Sequence, residues 1–85
     1  MNAFRVWVRP MVSVCKVRVD GIRNAKWLVN RLSQSFVFKS SEPMDDDLAT
    51  ACSSFQVQYN SQVSRSTFEK LLAAIPEVNV MLEPA

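Results

Sequence analysis

The hydrophobic residues of this chain change period in a fixed order, and that order limits the folds open to it. Cys15, Val17 and Val19 recur at every second residue. Ala25, Leu28, Val29, Leu32 and Phe36 then recur at helical spacing. Alternation returns around Phe36–Phe38 and Phe55–Tyr59, helical spacing at Phe68, Leu71, Leu72 and Ile75, and alternation again at Val78, Val80 and Leu82. A strand turns successive side chains to opposite faces, and a helix gathers every third or fourth on one stripe. The order therefore reads β-α-β-β-α-β, a split βαβ unit.

The punctuation supports this reading. Residues 11–20 form the first core strand, and Asp20-Gly21 turns the chain. Asn24 is the expected N-cap of helix one. Strand two covers Phe36–Ser40, and the connection Ser41–Ser54 is long enough to form a flap. Strand three is Phe55–Tyr59. Ser66 with Glu69 makes a capping box for helix two, with Ser64 as the alternative cap, and Pro76 stops that helix after Ile75. Strand four is Glu77–Glu83. Right-handed crossovers then predict a ferredoxin-like α+β two-layer sandwich. Its antiparallel sheet has the order 4-1-3-2, both helices on one face and the other face open. Phe4, Val6 and Val8 alternate with Arg5, Trp7 and Arg9, but Pro10 interrupts them. Residues 1–10 are thus read as an N-terminal arm or extra edge strand beside a core at 11–83, within one domain spanning 1–85.

Eighty-five residues, 48% apolar and 21% charged, suit one small globular unit. Arg5 and Arg9 interrupt the apolar N-terminus, and no run nears the ~20 residues of a membrane span. A cytoplasmic protein with no membrane contact is expected. The two cysteines, Cys15 and Cys52, have no CxxC spacing, and the chain has no histidine. Both thiols are expected to be reduced. No residue pattern calls for a metal or a cofactor.

Charge is divided unevenly. Residues 1–39 hold eight Lys/Arg and one acid, and residues 40–85 hold two Lys/Arg and seven acids, giving +7 and −5. Such halves either pair internally or present a basic face to an anion. Within the acidic half, Glu42, Asp45, Asp46 and Asp47 lack the alternate spacing and glycine of a calcium loop. They read as a solvated turn.

Trp27 falls about 180° from the apolar stripe of helix one, among Arg23, Asn30, Arg31 and Gln34. Arg23 and Arg31 lie four residues to either side, where guanidinium groups can stack on the indole. An exposed Trp between arginines suits a protein or a nucleobase. Lys16, Arg18, Gln56 and Gln58 are expected to line the open face of the central strands, with Asn79 and Met81 extending it. RNA-binding sheets of this plan carry aromatics at such positions. Basic and amide groups there point instead to phosphate or polar protein contacts.

Catalysis finds little support without a histidine. Cys15 sits on a core face, and Cys52, in the flap, has no base beside it. The loop Val19-Asp20-Gly21-Ile22-Arg23-Asn24 resembles the acylphosphatase loop in keeping an arginine after strand one. It lacks that signature's repeated Gly and Gln. The resemblance implies a small hydrolase that binds an anion at Asp20–Asn24. The CxxC of metal-chaperone members of the fold is absent.

The leading expectation is a small interaction or regulatory module without catalytic activity, whose partner is another protein or a second copy. The alternative is nucleic-acid binding through Lys16, Arg18, Arg23, Lys26 and Arg31. An acylphosphatase-like hydrolase comes third.

Overall fold

The N-terminal residues form a strand in the interior of the sheet. The structure, a computed structural model, describes residues 2–34, 45–58 and 65–84, without the side chain of Arg65. Strand β1 (Phe4–Pro10) runs into β2 (Val14–Asp20), and helix α1 (Ile22–Ser33) follows. Strands β3 (Asp45–Asp47) and β4 (Cys52–Gln58), helix α2 (Arg65–Ala73) and strand β5 (Val78–Leu82) complete the described elements. The five-stranded sheet has the order β3-β4-β2-β1-β5. Neighbours are antiparallel except β1 and β5, which are parallel.

This overturns the expected ferredoxin-like sheet of four antiparallel strands in the order 4-1-3-2. The strand that overturns it is β1. It separates β2 from β5, which the sequence reading places side by side, and it makes the sheet mixed. The physical reason is burial. Phe4, Val6 and Val8 share one face of β1, and Val6 and Val8 are fully buried. Val6 is level with Val19 and Val80, and Val8 with Val17 and Leu82. Each such side chain removed from water contributes about 1.5–3 kcal/mol, which a loose arm would forgo.

Pro10 does not oppose this placement. The Met11 N–H donates to the Val14 carbonyl across the hairpin, and the Phe4 N–H to the Glu77 carbonyl on the other side. Alternation along β1 therefore turns the nitrogen of Pro10 toward β5, which ends at Leu82. The missing N–H interrupts no ladder bond.

The stretch read as a flap is partly strand. Asp45–Asp47 pairs antiparallel with β4, whose start at Cys52 is three residues earlier than expected. Ala51, at φ 56°, makes the tight corner between them. The expected strand Phe36–Ser40, together with Tyr59 and Ser64, lies outside the described residues. Ser66 sits inside α2 rather than capping it.

The strand-to-helix junction departs from expectation too. Gly21, at φ +101°, is the N-cap of α1. Asn24 lies in the first turn, and its Nδ2 donates to the Asp20 carbonyl at 2.8 Å instead of accepting from a free amide. A Cβ on Gly21 would stand 2.7 Å from that Nδ2. Glycine thus serves both the left-handed backbone and the room for Asn24.

The connections β2-α1-β3 and β4-α2-β5 both join parallel strands. A right-handed sense for each puts both helices over one face. The buried cluster agrees. Ala25, Leu28 and Leu32 from α1, Phe68 and Leu72 from α2, and Ile75 meet the inward residues of β1, β2 and β4. The opposite face of the sheet carries no helix among the described residues.

Candidate functional site

Three residues of β1 face away from the helices: Arg5, Trp7 and Arg9. Strand register places them beside the outward residues of β2, with Trp7 level with Arg18 and Arg9 level with Lys16. On the far side of β2, Arg18 is level with Ser54 and Lys16 with Gln56. On the far side of β1, Trp7 is level with Met81 and Arg5 with Asn79. Neighbouring strands lie about 4.8 Å apart, so these side chains form one continuous surface.

Trp7 is its centre. The guanidinium carbon of Arg18 lies over the indole at 4.0 Å from the ring centroid, and that of Arg5 at 5.1 Å. Both distances are within cation–π range. Arg18 is half-buried, in keeping with this stack, whereas Arg5, Arg9 and Lys16 on the same face are exposed. Arg5 is also held on its other side, where Nε and Nη2 donate to Asp20 Oδ2 at 3.1 and 2.9 Å. A shallow cavity of about 230 Å³ opens beside the stack, lined by Arg9, Lys16, Arg18, Ser54 and Glu83. Four cations thus gather around one aromatic ring on the two adjacent strands β1 and β2.

The borders of the face are acidic. Asp45 and Asp47 stand level with Ser54 and Cys52 on the edge strand β3. Glu83 lies at the opposite border, its N–H bonded to the Val8 carbonyl. Asp45–Asp47, read with Glu42 as a solvated turn, therefore form an edge strand among the described residues, and Glu42 lies outside them. Asp46 accepts a hydrogen bond from the Ser53 hydroxyl, and Asp47 Oδ1 accepts one from the Ala49 N–H at 3.0 Å. Among the described residues, no group of three His, Cys, Asp or Glu is placed to hold a metal ion.

Of the sequence candidates, Lys16, Arg18, Gln56 and Gln58 lie on this face. Lys16 and Gln58 are exposed, and Gln56 is half-buried. Trp27, Arg23 and Arg31 do not join them. They ride on α1, on the other side of the sheet. Trp27 is half-buried and meets the Phe4 ring edge-on, with centroids 5.8 Å apart. Among the described residues the guanidinium-over-indole contacts belong to Trp7, not to Trp27. Arg23, Lys26 and Arg31 are exposed along the helix, so the basic half of the chain is split between two opposite surfaces. Arg31 also borders a cavity of about 330 Å³ at the ends of α1 and α2, with Leu32, Gln34, Leu71, Ala74 and Ile75.

Of the two thiols, Cys15 lies on the core face as expected, and Cys52 is placed differently. Both cysteines are buried, and they are not joined in a disulfide. Cys52 belongs to β4 rather than to a flap, and its Sγ donates to the Thr50 carbonyl at 3.5 Å. Cys15 is level with Val57 on the core face, whereas Cys52 is level with Asp20 on the open face. Opposite faces and a separation of about 16 Å along the strand put a bond between them out of reach. In the acylphosphatase-like loop, the Gly21 N–H is already bonded to the Ala51 carbonyl at 2.9 Å.

Sequence reasoning missed Arg5, Trp7 and Arg9 as members of the site. Their alternation against Phe4, Val6 and Val8 was visible, but the position of β1 within the sheet was not. Compared with known proteins, the chain matches no family model, no curated protein and no solved structure. No helix among the described residues is long and apolar enough to cross a membrane.

Proposed function

We propose that this chain is a binding module whose open sheet face takes a single strand of nucleic acid. The observation that carries the reading is Trp7 on an interior strand, stacked with Arg5 and Arg18 and flanked by Arg9 and Lys16. Single-strand binders combine aromatic platforms for bases with cations that follow the backbone. A guanidinium held over an indole can itself take a base, because bases stack on guanidinium planes as they do on rings. The cavity beside the stack supplies Arg9 and Lys16 for a phosphate.

The acidic borders favour one strand over two. Asp45 and Asp47 lie about two strand spacings from β2, roughly 10 Å away. A duplex broad enough to reach them would set its phosphates against carboxylates. A single strand running along β1 and β2 avoids them. The helix cations Arg23, Lys26 and Arg31 lie on the opposite surface and take no part.

Titration with a short oligothymidylate at low salt tests this reading. Trp7 emission should be quenched, and a Trp27→Phe variant should retain the quenching. Base stacking is worth about 1–3 kcal/mol, so Trp7→Ala should weaken binding roughly 5- to 150-fold. Neutralising about three phosphates gives a slope near −2 in log K against log salt. Unchanged Trp7 emission and unshifted β1 and β2 amides at millimolar oligonucleotide would rule the reading out.

A further inference from the structure

Among the described residues β5 is an edge strand, and its unpaired side has a defined pattern. The Phe4 N–H bonds the Glu77 carbonyl, and the Glu83 N–H bonds the Val8 carbonyl. Glu77, Asn79, Met81 and Glu83 therefore turn their backbone groups toward β1, and Val80 and Leu82 turn theirs outward. Leu82 belongs to the core-facing set yet is 59% exposed, and Met81, beside Trp7, is 45% exposed. Edge strands are ordinarily guarded by charge, proline or a bulge. Among the described residues the opposite edge, β3, consists of three aspartates, while β5 reads Val-Asn-Val-Met-Leu with neither charge nor proline.

We propose that β5 pairs with β5 of a second copy of this chain, antiparallel about a two-fold axis at Met81, so that the two sheets become one. Hydrogen-bonded pairs in such a seam must match outward-facing residues. Centring on Met81 matches Val80 with Leu82 of the second copy and the reverse, which satisfies the outward N–H and C=O groups of both. The same register sets Asn79 opposite Glu83, an amide opposite a carboxylate. Centring on Val80 also matches outward groups, but sets Glu77 against Glu83 twice, and opposed like charges destabilise a pair. Pairing β5 with β3 of another copy brings Asp45–Asp47 against a strand flanked by Glu77 and Glu83, and it repeats without closing. Charge thus selects the closed dimer and its register. On the core side Leu82 of each copy packs against Val80 of the other. On the open side Met81 meets its own counterpart, which brings two Trp7 clusters onto one surface.

Native mass spectrometry and sedimentation over a concentration series test the seam. The chain should move from 9.6 kDa to twice that mass. Leu82→Lys, which charges the edge, should stay at the single-chain mass with an unchanged circular-dichroism spectrum. So should Val80→Pro, because that N–H makes no bond to β1. The register has its own probe. Met81 pairs with itself at a non-hydrogen-bonded site, where Cα atoms are about 4.5 Å apart, within disulfide reach. Met81→Cys should cross-link to itself on mild oxidation, and Asn79→Cys should not. A single-chain mass up to millimolar protein, a dimer that survives Leu82→Lys, or equal cross-linking of the two cysteine variants would each overturn the proposal. None of these readouts involves nucleic acid, so the seam and the binding face fail independently.

Discussion

Arg18 holds its guanidinium carbon 4.0 Å from the centroid of the Trp7 ring, across the register pair that joins β1 to β2. The contact ties the aromatic centre of the open face to the strand beside it. It also sets which surface a ligand meets, because the guanidinium covers part of the indole. A double-mutant cycle on Trp7→Ala and Arg18→Ala should return a coupling of about 0.5–1 kcal/mol, the range of exposed cation–π pairs. Urea unfolding measures it. A coupling near zero would mean that the stack has no energetic weight in solution.

Asp20 engages the second cation over Trp7. The pair is exposed, with side-chain accessibilities of 59% for Arg5 and 37% for Asp20, and surface pairs contribute about 0–1 kcal/mol. Asp20→Asn should therefore alter stability by less than about 1 kcal/mol. It should also free Arg5 for an anionic strand. Oligonucleotide affinity at low salt is expected to rise severalfold, with the gain fading as salt increases. A fall in affinity would show that Asp20 instead holds Arg5 in its binding position.

The interior position of β1 makes a quantitative claim about Val8. It is as fully buried as Val17, its neighbour on β2. Val8→Ala and Val17→Ala should each cost about 2 kcal/mol, from lost transfer energy plus the cavity left behind. Chemical denaturation of the two variants compares them directly. A loose N-terminal arm would give a value near zero for Val8 alone.

Gly21 and Asn24 should behave as a coupled pair. Gly21→Ala forces a side chain onto a positive φ and into Asn24 Nδ2, so a loss of more than about 1 kcal/mol is expected. Asn24→Ala removes the bond to the Asp20 carbonyl but also clears the space. The double variant should lose less than the sum of the single losses. Strict additivity in thermal or urea melts would show that strain at φ, and not the collision, sets the cost.

The sequence made the helices and most strands legible because each carries its own period. Leu28 and Leu32 mark the buried stripe of α1, and Phe55 and Val57 the inward face of β4. Strand order was not legible in the same way. Phe4, Val6 and Val8 alternate as clearly as Cys15, Val17 and Val19. Period shows that a segment is a strand, but not which strands flank it. Pro10 weighed against an interior position, and the rule fails here because its nitrogen points past the end of β5. The site followed the same division. Lys16, Arg18, Gln56 and Gln58 were found from parity within their strands. Arg5, Trp7 and Arg9 were missed because their membership depends on β1 lying against β2. Trp27 is half-buried rather than fully displayed, because a wheel gives the direction of a side chain, not the reach of an indole toward Phe4.

The parallel ladder between β1 and β5 sets an order of events for a chain emerging from the ribosome. β1 finds β2 almost at once, through the hairpin at Met11–Val14. Its other neighbour pairs Phe4 with Val78, nearly the whole length of the chain away. Until residues 78–82 are synthesised, Phe4, Val6 and Val8 lie along an open flank. Such long-range pairing is slow to form and exposed to aggregation while it waits. Nascent chains stalled before Val78 should therefore be held by chaperones, and release should coincide with the exit of β5.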